Sequence, residues 1–457
     1  MVKILQNKKI IILSLLIALL TTTGLKCGGP PSGLTPGKPT PITLTFWKVW
    51  QDGSDIQDLI AQYQMMHPHI SINFRNLTYD EYKNQILRAF AEDRGPDIFS
   101  VHTTGIREYL SLIEPLPSQI KMAYQVEKGT VKKETYTEIR TQNTLTLRDM
   151  RNLFPDVVYD NQIINNQIYG LPLSIDTLVL FYNRDLLNNA GIAFPPKTWN
   201  DFRDQVIKLT RQDFRGNLIQ AGAAIGTADN VERSADILSL LMLQNGTVMT
   251  DAQGIATFHQ TPPGYTRAIS PAVEALNFYT SFASPAKQVY TWNENMPNSL
   301  TAFMSGQTAF FFGYSYHIPI IKAQAPKLNF EITEAPQIGT AVNFANYWVE
   351  TVSKKSKNTD AAWDFILFIT TNLENNKKFL EKNKKPTALR ALISQQATDL
   401  ELAPFANQLL TSRSWYKGRD SQAAEEIFRQ MIRENLEGLT ETEKIINLGA
   451  TRVNQTR

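Results

Sequence analysis

The chain has 457 residues, of which 42% are hydrophobic and 19% charged, and its formal net charge is +3. This length allows two domains with full cores, and the composition is that of a globular protein rather than a disordered one. The positive excess comes from four lysines in the first 26 residues, which contain no acidic residue. No basic surface for nucleic acid is therefore indicated.

The N-terminus has the pattern of an export signal. Three lysines precede Ile10–Leu20, a run that is apolar except for Ser14. A run of this length is typical of a signal-peptide core and is too short to span a bilayer. Residues 1–26 are therefore predicted to be a signal peptide.

The only cysteine, Cys27, follows directly. Its position predicts a bacterial lipoprotein that is lipidated on Cys27, and a single cysteine excludes an intramolecular disulfide. Lys26 stands where lipoproteins carry a small residue, which leaves an uncleaved N-terminal anchor as the alternative. Residues 27–41 are rich in proline and glycine and are predicted to form an extended tether.

The body of the chain opens with alternating strands and helices. Apolar residues alternate along the strands predicted at Ile42–Phe46 and Ile70–Phe74, and a third strand is predicted at Asp97–Val101. A helical stripe separates the first two strands, and a capping box formed by Thr78 and Glu81 begins the helix before the third. Two successive strand–helix–strand units predict a doubly wound sheet with parallel strands.

Residues 118–160 are polar and show weak helical periodicity. They are predicted to be a surface elaboration, with a docking surface as the alternative. The next stretch is more regular. It predicts a strand over Leu178–Tyr182, a helix over Arg184–Asn189 that stops at Gly191, and a further helix begun by a capping box of Thr198 and Asp201.

Three pieces of this stretch carry a family resemblance: Gly170–Pro172, Tyr182–Asn183 and Pro195–Trp199. Together they resemble a signature of the extracellular solute-binding proteins of ABC importers, in the maltose-binding-like group called family 1. The elements at Gly95–Phe99 and Lys385–Leu392 are also similar to the family pattern.

The resemblance implies an α/β fold of type II with two lobes, each a mostly parallel sheet flanked by helices. It places lobe 1 at 42–174 and 334–384 and lobe 2 at 177–332 and 386–457.

The five histidines have no metal-ligand spacing, and His67 and His69 are predicted to be solvated turn residues. No nucleophile motif, paired cysteines or phosphate-binding glycine loop is present. No metal or cofactor is therefore expected. The sequence has many carboxylates and none of its patterns singles out two of them, so a glycosidase pair stays open as an alternative.

The candidate ligand-binding residues are aromatic side chains near strand ends and loops, where a cleft in an α/β fold is expected, because flat rings stack on the C–H faces of sugars. These aromatic candidates are Trp47, Trp50, Tyr314, Tyr316, Tyr347, Trp348 and Trp415. By resemblance, Asp176 is an acidic sugar-binding residue beside the first crossing between lobes, and Tyr316 and Trp415 are stacking residues. Each aromatic could instead be core packing, which is the interpretation preferred for Trp363 because it lies in an apolar helical stripe.

The predicted function follows from the resemblance. It is a monomeric protein, tethered to the outer face of the cytoplasmic membrane, that binds a sugar or oligosaccharide and delivers it to an ABC permease. The alternatives are a surface glycoside hydrolase or lyase with Asp176 as one carboxylate, and a sensing or adhesion lipoprotein of the same fold.

Overall fold

A computed structural model describes residues 33–49, 53–130 and 132–457. The predicted signal peptide, Lys26, Cys27 and Trp50 lie outside the described residues. The described residues form two compact units: one contains 42–120 and 143–457, and the other contains 33–41 and 121–142.

The strands are, in chain order, β1 (Leu34–Pro36), β2 (Ile42–Val49), β3 (Ile70–Leu77), β4 (Ile98–His102), β5 (Ile113–Glu114), β6 (Gln119–Lys128), β7 (Glu134–Asn143), β8 (Ile163–Ile164), β9 (Gln167–Ile168), β10 (Asp176–Thr177), β11 (Val179–Asn183), β12 (Arg211–Gln212), β13 (Leu218–Ala223), β14 (Thr308–Gly313), β15 (Phe330–Glu334), β16 (Asn343–Asn346), β17 (Trp348–Ser353) and β18 (Ser412–Arg413).

The helices are α1 (Gly53–Met66), α2 (Tyr79–Ala91), α3 (Leu147–Leu153), α4 (Asp156–Gln162), α5 (Arg184–Asn189), α6 (Trp199–Leu209), α7 (Ser234–Gln244), α8 (Pro271–Ser281), α9 (Ser299–Met304), α10 (His317–Gln324), α11 (Thr359–Thr371), α12 (Leu373–Asn383), α13 (Arg390–Gln396), α14 (Ala403–Gln408), α15 (Ser421–Glu437) and α16 (Thr442–Gln455).

The larger unit contains two five-stranded sheets. The sheet of lobe 1 has the order β3-β2-β4-β17-β5, and α1, α2 and α11 pack on its strands. The sheet of lobe 2 has the order β12-β13-β14-β11-β15, and α6, α9 and α14 pack on its strands. This architecture confirms the predicted two-lobed α/β class.

The sheets are mixed rather than mostly parallel. β2 runs parallel to β3 and β4, but β17 is antiparallel to both of its neighbours. In lobe 2, β13 and β14 are parallel, whereas β11 is antiparallel to β14 and β15. The antiparallel strands β11 and β17 each come directly after a crossing segment instead of after a helix of their own lobe. Their direction is therefore set by the crossing and not by a strand–helix–strand unit.

Each lobe has its own aromatic core. In lobe 1 the ring of Phe46 from β2 packs edge-on against Phe365 from α11 at 6.1 Å, and Trp363 is fully buried as predicted. In lobe 2, Phe202 from α6 lies 5.7 Å from Phe312 of β14. Burial of rings this large supplies much of the stabilisation of each lobe.

The segment 118–160 differs from its predicted weak helical character. β6 and β7 are neighbouring, hydrogen-bonded strands of one sheet, and among the described residues of the segment the helices are α3 and α4. Burial alternates at the start of β6, where Ile120 and Met122 are buried and Lys121 is exposed. The two-residue period is short and surrounded by polar residues, which hides it in the sequence.

Part of the predicted tether is a strand. β1 pairs antiparallel with β7, with Leu34 opposite Glu138 and Pro36 opposite Tyr136. Pro36 is compatible with this pairing because β1 lies at a sheet edge, where a missing amide donor is tolerated. The prediction of an unpaired chain therefore fails for residues 34–36.

His67 is another correction, because it is buried and not solvated. Its imidazole lies 4.6 Å from the ring of Tyr63, and burial lowers its pKa. The sequence places His67 at a helix end but does not show that α11 covers that end.

Candidate functional site: a cavity between the two lobes

The lobes are connected by a narrow three-stranded sheet with the order β10-β16-β18. β10 carries the chain into lobe 2, and β16 leads back into lobe 1. The two strands are antiparallel, with Asp176 opposite Asn346 and Thr177 opposite Ala345. A third passage is marked by an isolated bridge between Ser174 and Thr387. The crossings therefore lie side by side and form the floor of any cleft between the lobes.

A cavity of about 540 Å³ opens beside these crossings and is lined by both lobes. This volume lies within the range of about 300–1,000 Å³ that is typical of small-molecule sites. The cationic and anionic side chains in its wall are similar in number: Lys48, Lys83, Arg233, Lys385 and Arg429 against Glu108, Asp176, Asp420 and Glu425. The wall thus has no strong excess of either charge.

The lobe 1 wall is built around Trp348, the first residue of β17. Its ring meets Tyr79, Tyr82 and His102 edge-on, with ring centroids 6.1, 6.2 and 5.3 Å away. These partners come from α2 and β4, so Trp348 is held by two other elements of its lobe. It is only partly buried and lines the cavity.

Behind this wall lies a buried ion pair. Lys48 from β2 pairs with Glu350 from β17, and the Ser100 hydroxyl donates to Glu350 Oε2 at 2.6 Å. Both partners of the pair are almost completely shielded from solvent. Because a buried carboxylate needs such partners, Glu350 joins β17 to β2 through Lys48 and to β4 through Ser100.

The lobe 2 wall presents a pair of tyrosines after β14. The rings of Tyr314 and Tyr316 are nearly parallel, with centroids 5.9 Å apart and an angle of 21° between their planes. Tyr316 also packs on His317 at 4.1 Å. Burial raises the pKa of Tyr316, so its hydroxyl stays protonated and can donate or accept a hydrogen bond.

Arg233 is the central cation of the cavity. Its Nε donates to Asp236 Oδ2 at 2.8 Å, and its Nη2 donates to Glu425 Oε1 at 3.1 Å. The Tyr314 hydroxyl donates to Asp236 Oδ2 at 2.6 Å. The neighbouring carboxylates of Asp236 and Glu425 raise the pKa of Arg233 against the opposing effect of burial, so it is charged. This network extends from α7 to α15.

A second polar chain crosses the floor. His102 Nε2 lies 2.8 Å from Asn346 Oδ1, and its Nδ1 lies 2.7 Å from Thr104 Oγ1. Burial lowers the pKa of His102, so the ring is neutral, and the contact with Asn346 Oδ1 places the proton on Nε2. Asn346 Nδ2 continues the chain by donating to Asp236 Oδ2 at 3.4 Å.

Asp176 stands at the start of β10 and faces the N-terminal end of α10. Its Oδ2 accepts the Ser315 hydroxyl at 2.6 Å and the Ser315 amide at 2.9 Å, and its Oδ1 accepts the Thr177 amide at 3.0 Å. Burial raises the pKa of this carboxyl, and these hydrogen bonds oppose the shift. Asp176 therefore ties the crossing to lobe 2.

Comparison with known proteins identifies the family. The sequence profile described as "Bacterial extracellular solute-binding protein" matches residues 58–397. The chain belongs to this family.

Several relatives of this solute-binding protein have been named for what they bind. The galactooligosaccharide-binding protein of Bacillus subtilis is 20% identical over 376 residues, which cover 81% of this chain and 78% of the relative. The maltodextrin-binding protein MdxE of the same organism is 24% identical over 349 residues, which cover 71% of this chain and 75% of the relative.

Solved structures share the fold. The sugar-binding protein MalE of Xanthomonas citri superposes with a TM-score of 0.69 at 19% identity, covering 91% of this chain and 97% of that one. A solute-binding protein of Thermotoga lettingae, solved with α-D-tagatose, gives a TM-score of 0.68 at 18% identity, covering 91% of this chain and 99% of that one. The family is one of extracellular proteins, which implies export. In the part of the chain that the structure describes, no helix is long and apolar enough to cross a membrane.

Five of the predicted ligand-binding residues line the cavity of this solute-binding protein. They are Asp176, Tyr314, Tyr316, Tyr347 and Trp348. Tyr314 and Tyr347 are almost fully buried, and each hydroxyl donates a hydrogen bond within its own lobe. Tyr316 and Trp348 are the more accessible rings of this set.

Trp47 and Trp415 do not line the large cavity. The guanidinium of Arg75 lies over the Trp47 ring at 4.8 Å. The Trp415 ring packs 5.1 Å from Phe428 and 6.2 Å from Phe258, and its Nε1 donates to Ser239 Oγ at 3.0 Å. Trp415 is only 8% exposed and reaches only a small adjoining space of about 30 Å³. Its surroundings are those of a core residue.

Sequence reasoning missed the polar part of the wall, namely Arg233, Glu425, His102 and Asn346. These residues lie in segments far apart along the chain, and none belongs to a recognisable motif. Among the described residues, no group of three or more histidine, cysteine, aspartate or glutamate side chains is placed to hold a metal ion.

Proposed function

We propose that this solute-binding protein captures a sugar or oligosaccharide in the cavity between its lobes and delivers it to the permease of an ABC importer. The named relatives support a carbohydrate ligand, because they include proteins for galactooligosaccharides and maltodextrins. The proposal assigns 42–174 and 347–384 to lobe 1 and 177–342 and 386–457 to lobe 2. The return to lobe 1 is moved from the expected position at 334 to β16, because β15 pairs with β11 of the lobe 2 sheet as far as Glu334. It anchors the chain through a lipid on Cys27.

The observation that carries the proposal is the composition of the cavity wall. Trp348 and Tyr316 present ring surface from opposite lobes, and Arg233 and Asn346 present polar groups between them. Aromatic faces suit the C–H faces of sugar rings, and charged or amide groups suit hydroxyls. The balanced charge of the wall fits a neutral polar solute better than an ion.

The proposal includes no catalysis and no cofactor. Two of the carboxylates that line the cavity are held by neighbouring side chains. Asp176 accepts hydrogen bonds from Ser315, and Glu425 pairs with Arg233. Family and relatives are binding proteins, which supports the same conclusion.

The test is calorimetric titration of the purified protein with galactooligosaccharides, maltodextrins and arabinooligosaccharides, followed by chromatography of the recovered sugar. We expect saturable binding of at least one sugar and its recovery intact. Shortened or modified sugar would support the hydrolase or lyase alternative instead. Binding of peptides or polyols without binding of any sugar would contradict the proposed solute class.

A further inference from the structure

A second, strongly basic groove lies next to the large cavity between the lobes. It has a volume of about 570 Å³ and is lined by four cationic side chains and one carboxylate. The cations are Arg107, Lys417, Arg419 and Arg457, and the carboxylate is Glu108, which also lines the large cavity. The two spaces therefore adjoin at Glu108.

Three of the four cations have no ion-pair partner among the residues that the structure describes. Arg107, Lys417 and Arg419 form no side-chain hydrogen bond or ion pair with any described residue, whereas Arg457 donates to the carbonyl of Gln253 at 2.9 Å. Arg107 is partly buried, and its pKa is lowered first by that burial and then by the charge of Arg457. Partly desolvated like charges repel one another unless an anion joins them.

The groove draws its cations from both lobes. Arg107 lies in the turn that follows β4 in lobe 1, whereas Lys417 and Arg419 precede α15 of lobe 2. The lobe 2 segment is firmly placed, because the amides of Arg419 and Asp420 donate to the carbonyl of Thr456 at 3.0 and 3.1 Å. The Tyr416 hydroxyl is also bonded to Thr456 at 2.7 Å. Lys417 and Arg419 therefore extend from a fixed backbone.

We propose that this groove is an anion site for a tetrahedral oxyanion, phosphate or sulfate, held between Arg107 of lobe 1 and Lys417 and Arg419 of lobe 2. Guanidinium groups match the oxygens of such anions, and a lysine adds a point charge. The group could be a free inorganic ion or the acidic substituent of a sugar that extends past Glu108 from the large cavity.

An anion in this position couples to solute binding. It would bring together cations that otherwise repel across the cleft, so it stabilises the arrangement in which the lobes are close. A sugar that bridges the lobes favours the same arrangement. Thermodynamic reciprocity then requires that each ligand raises the affinity for the other.

The test is titration with inorganic phosphate, and separately sulfate, by calorimetry and thermal unfolding at constant ionic strength set with sodium chloride. We expect saturable binding to the wild type and a rise in Tm that follows its saturation. Loss of one charge-assisted contact should weaken binding by about tenfold in Arg107→Gln and in Arg419→Gln. The matched control is Arg203→Gln, which removes an exposed arginine of α6 that lies outside the groove and has no ion-pair partner among the described residues.

The site is overturned if phosphate raises Tm no more than chloride does, or if Arg203→Gln weakens binding as much as Arg107→Gln. These measurements use no sugar, so they stand or fall separately from the carbohydrate proposal. A hexose phosphate compared with the unsubstituted hexose then separates the two sources. If the hexose phosphate competes with inorganic phosphate, the groove binds the acidic substituent of a sugar. If the unsubstituted hexose and inorganic phosphate bind together and each raises the affinity for the other, the groove binds a free ion.

Discussion

At residue 233 the backbone adopts the left-handed conformation, with φ of 57° at a non-glycine position. Such a residue costs of order 1–3 kcal/mol and persists only where its surroundings hold it. Here Asp236 and Glu425 hold the guanidinium, and Tyr314 holds Asp236. The left-handed backbone at this position therefore accompanies a guanidinium that is held in the cavity wall.

Two tryptophans should separate binding from folding. Trp348→Ala removes a ring that is partly open to the cavity, so sugar affinity should fall by about ten- to a hundredfold, the equivalent of roughly 1–3 kcal/mol. Trp415→Ala empties a core position and should lower the free energy of unfolding by about 3–5 kcal/mol. Calorimetry and urea denaturation measure the two effects. Weak sugar binding by folded Trp415→Ala, with unchanged stability, would return Trp415 to the binding site.

His102 predicts a dependence of stability on pH. Because burial lowers its folded pKa below the ordinary 6.5, the unfolded chain takes up the proton first as the pH falls. Its contribution is complete above about pH 6.5 and is lost as the pH decreases below that value. Since His67 and His69 also have lowered pKa values, the measurement is the difference between wild type and His102→Gln in urea denaturation from pH 5 to 8. A constant difference across this range would contradict the neutral assignment of His102.

Among the elements, the start of α6 is determined locally. The Thr198 hydroxyl accepts from the Asp201 amide at 3.1 Å, and the Asp201 carboxylate accepts from the Thr198 amide at 3.0 Å. This is the capping box predicted from the sequence.

Removal of the cap should cost a measurable amount of stability. Thr198→Ala should lower the free energy of unfolding by about 1 kcal/mol because an amide at the helix start loses its acceptor. Thr198→Ser keeps the hydroxyl and should stay close to wild type in urea denaturation. Equal losses in both variants would show that the methyl group, and not the cap, matters.

Elements with such local signals were predictable. The helix Arg184–Asn189 has the predicted bounds, and Gly191 after it has the positive φ of 64° that a helix stop requires. The pairing of β6 and β7 was not predictable, because the alternation is short and interrupted by charge. The residues of the candidate site divide in the same way. Trp348 and Tyr316 lie near recognisable strands, whereas Arg233 lines the cavity in a backbone conformation that no sequence pattern predicts.

For the molecule as a whole, a solute that contacts both walls should draw the lobes together, since its contacts differ between the open and closed states. Small-angle scattering should show a smaller radius of gyration with saturating sugar than without. A sugar that calorimetry finds not to bind is the control for solvent contrast. An unchanged radius at saturation would argue against hinge closure.

The paired crossing strands also fix the order in which contacts form. A slide of one strand past its neighbour would break every hydrogen bond of the β10–β16 pair and turn its side chains to the opposite face, whereas a bend breaks none. Opening is therefore a rotation of one lobe relative to the other about the crossing strands, which bend but stay paired. Groups on the crossing strands, such as Asn346 opposite Asp176, would keep their relative positions when the lobes separate. The Gln422 side chain of lobe 2 donates a hydrogen bond to the Tyr79 hydroxyl of lobe 1, and separation of the lobes would break it. An arriving solute would thus first meet the groups on the crossing strands, which are already in place. Contacts from the second lobe would form only after the solute is bound.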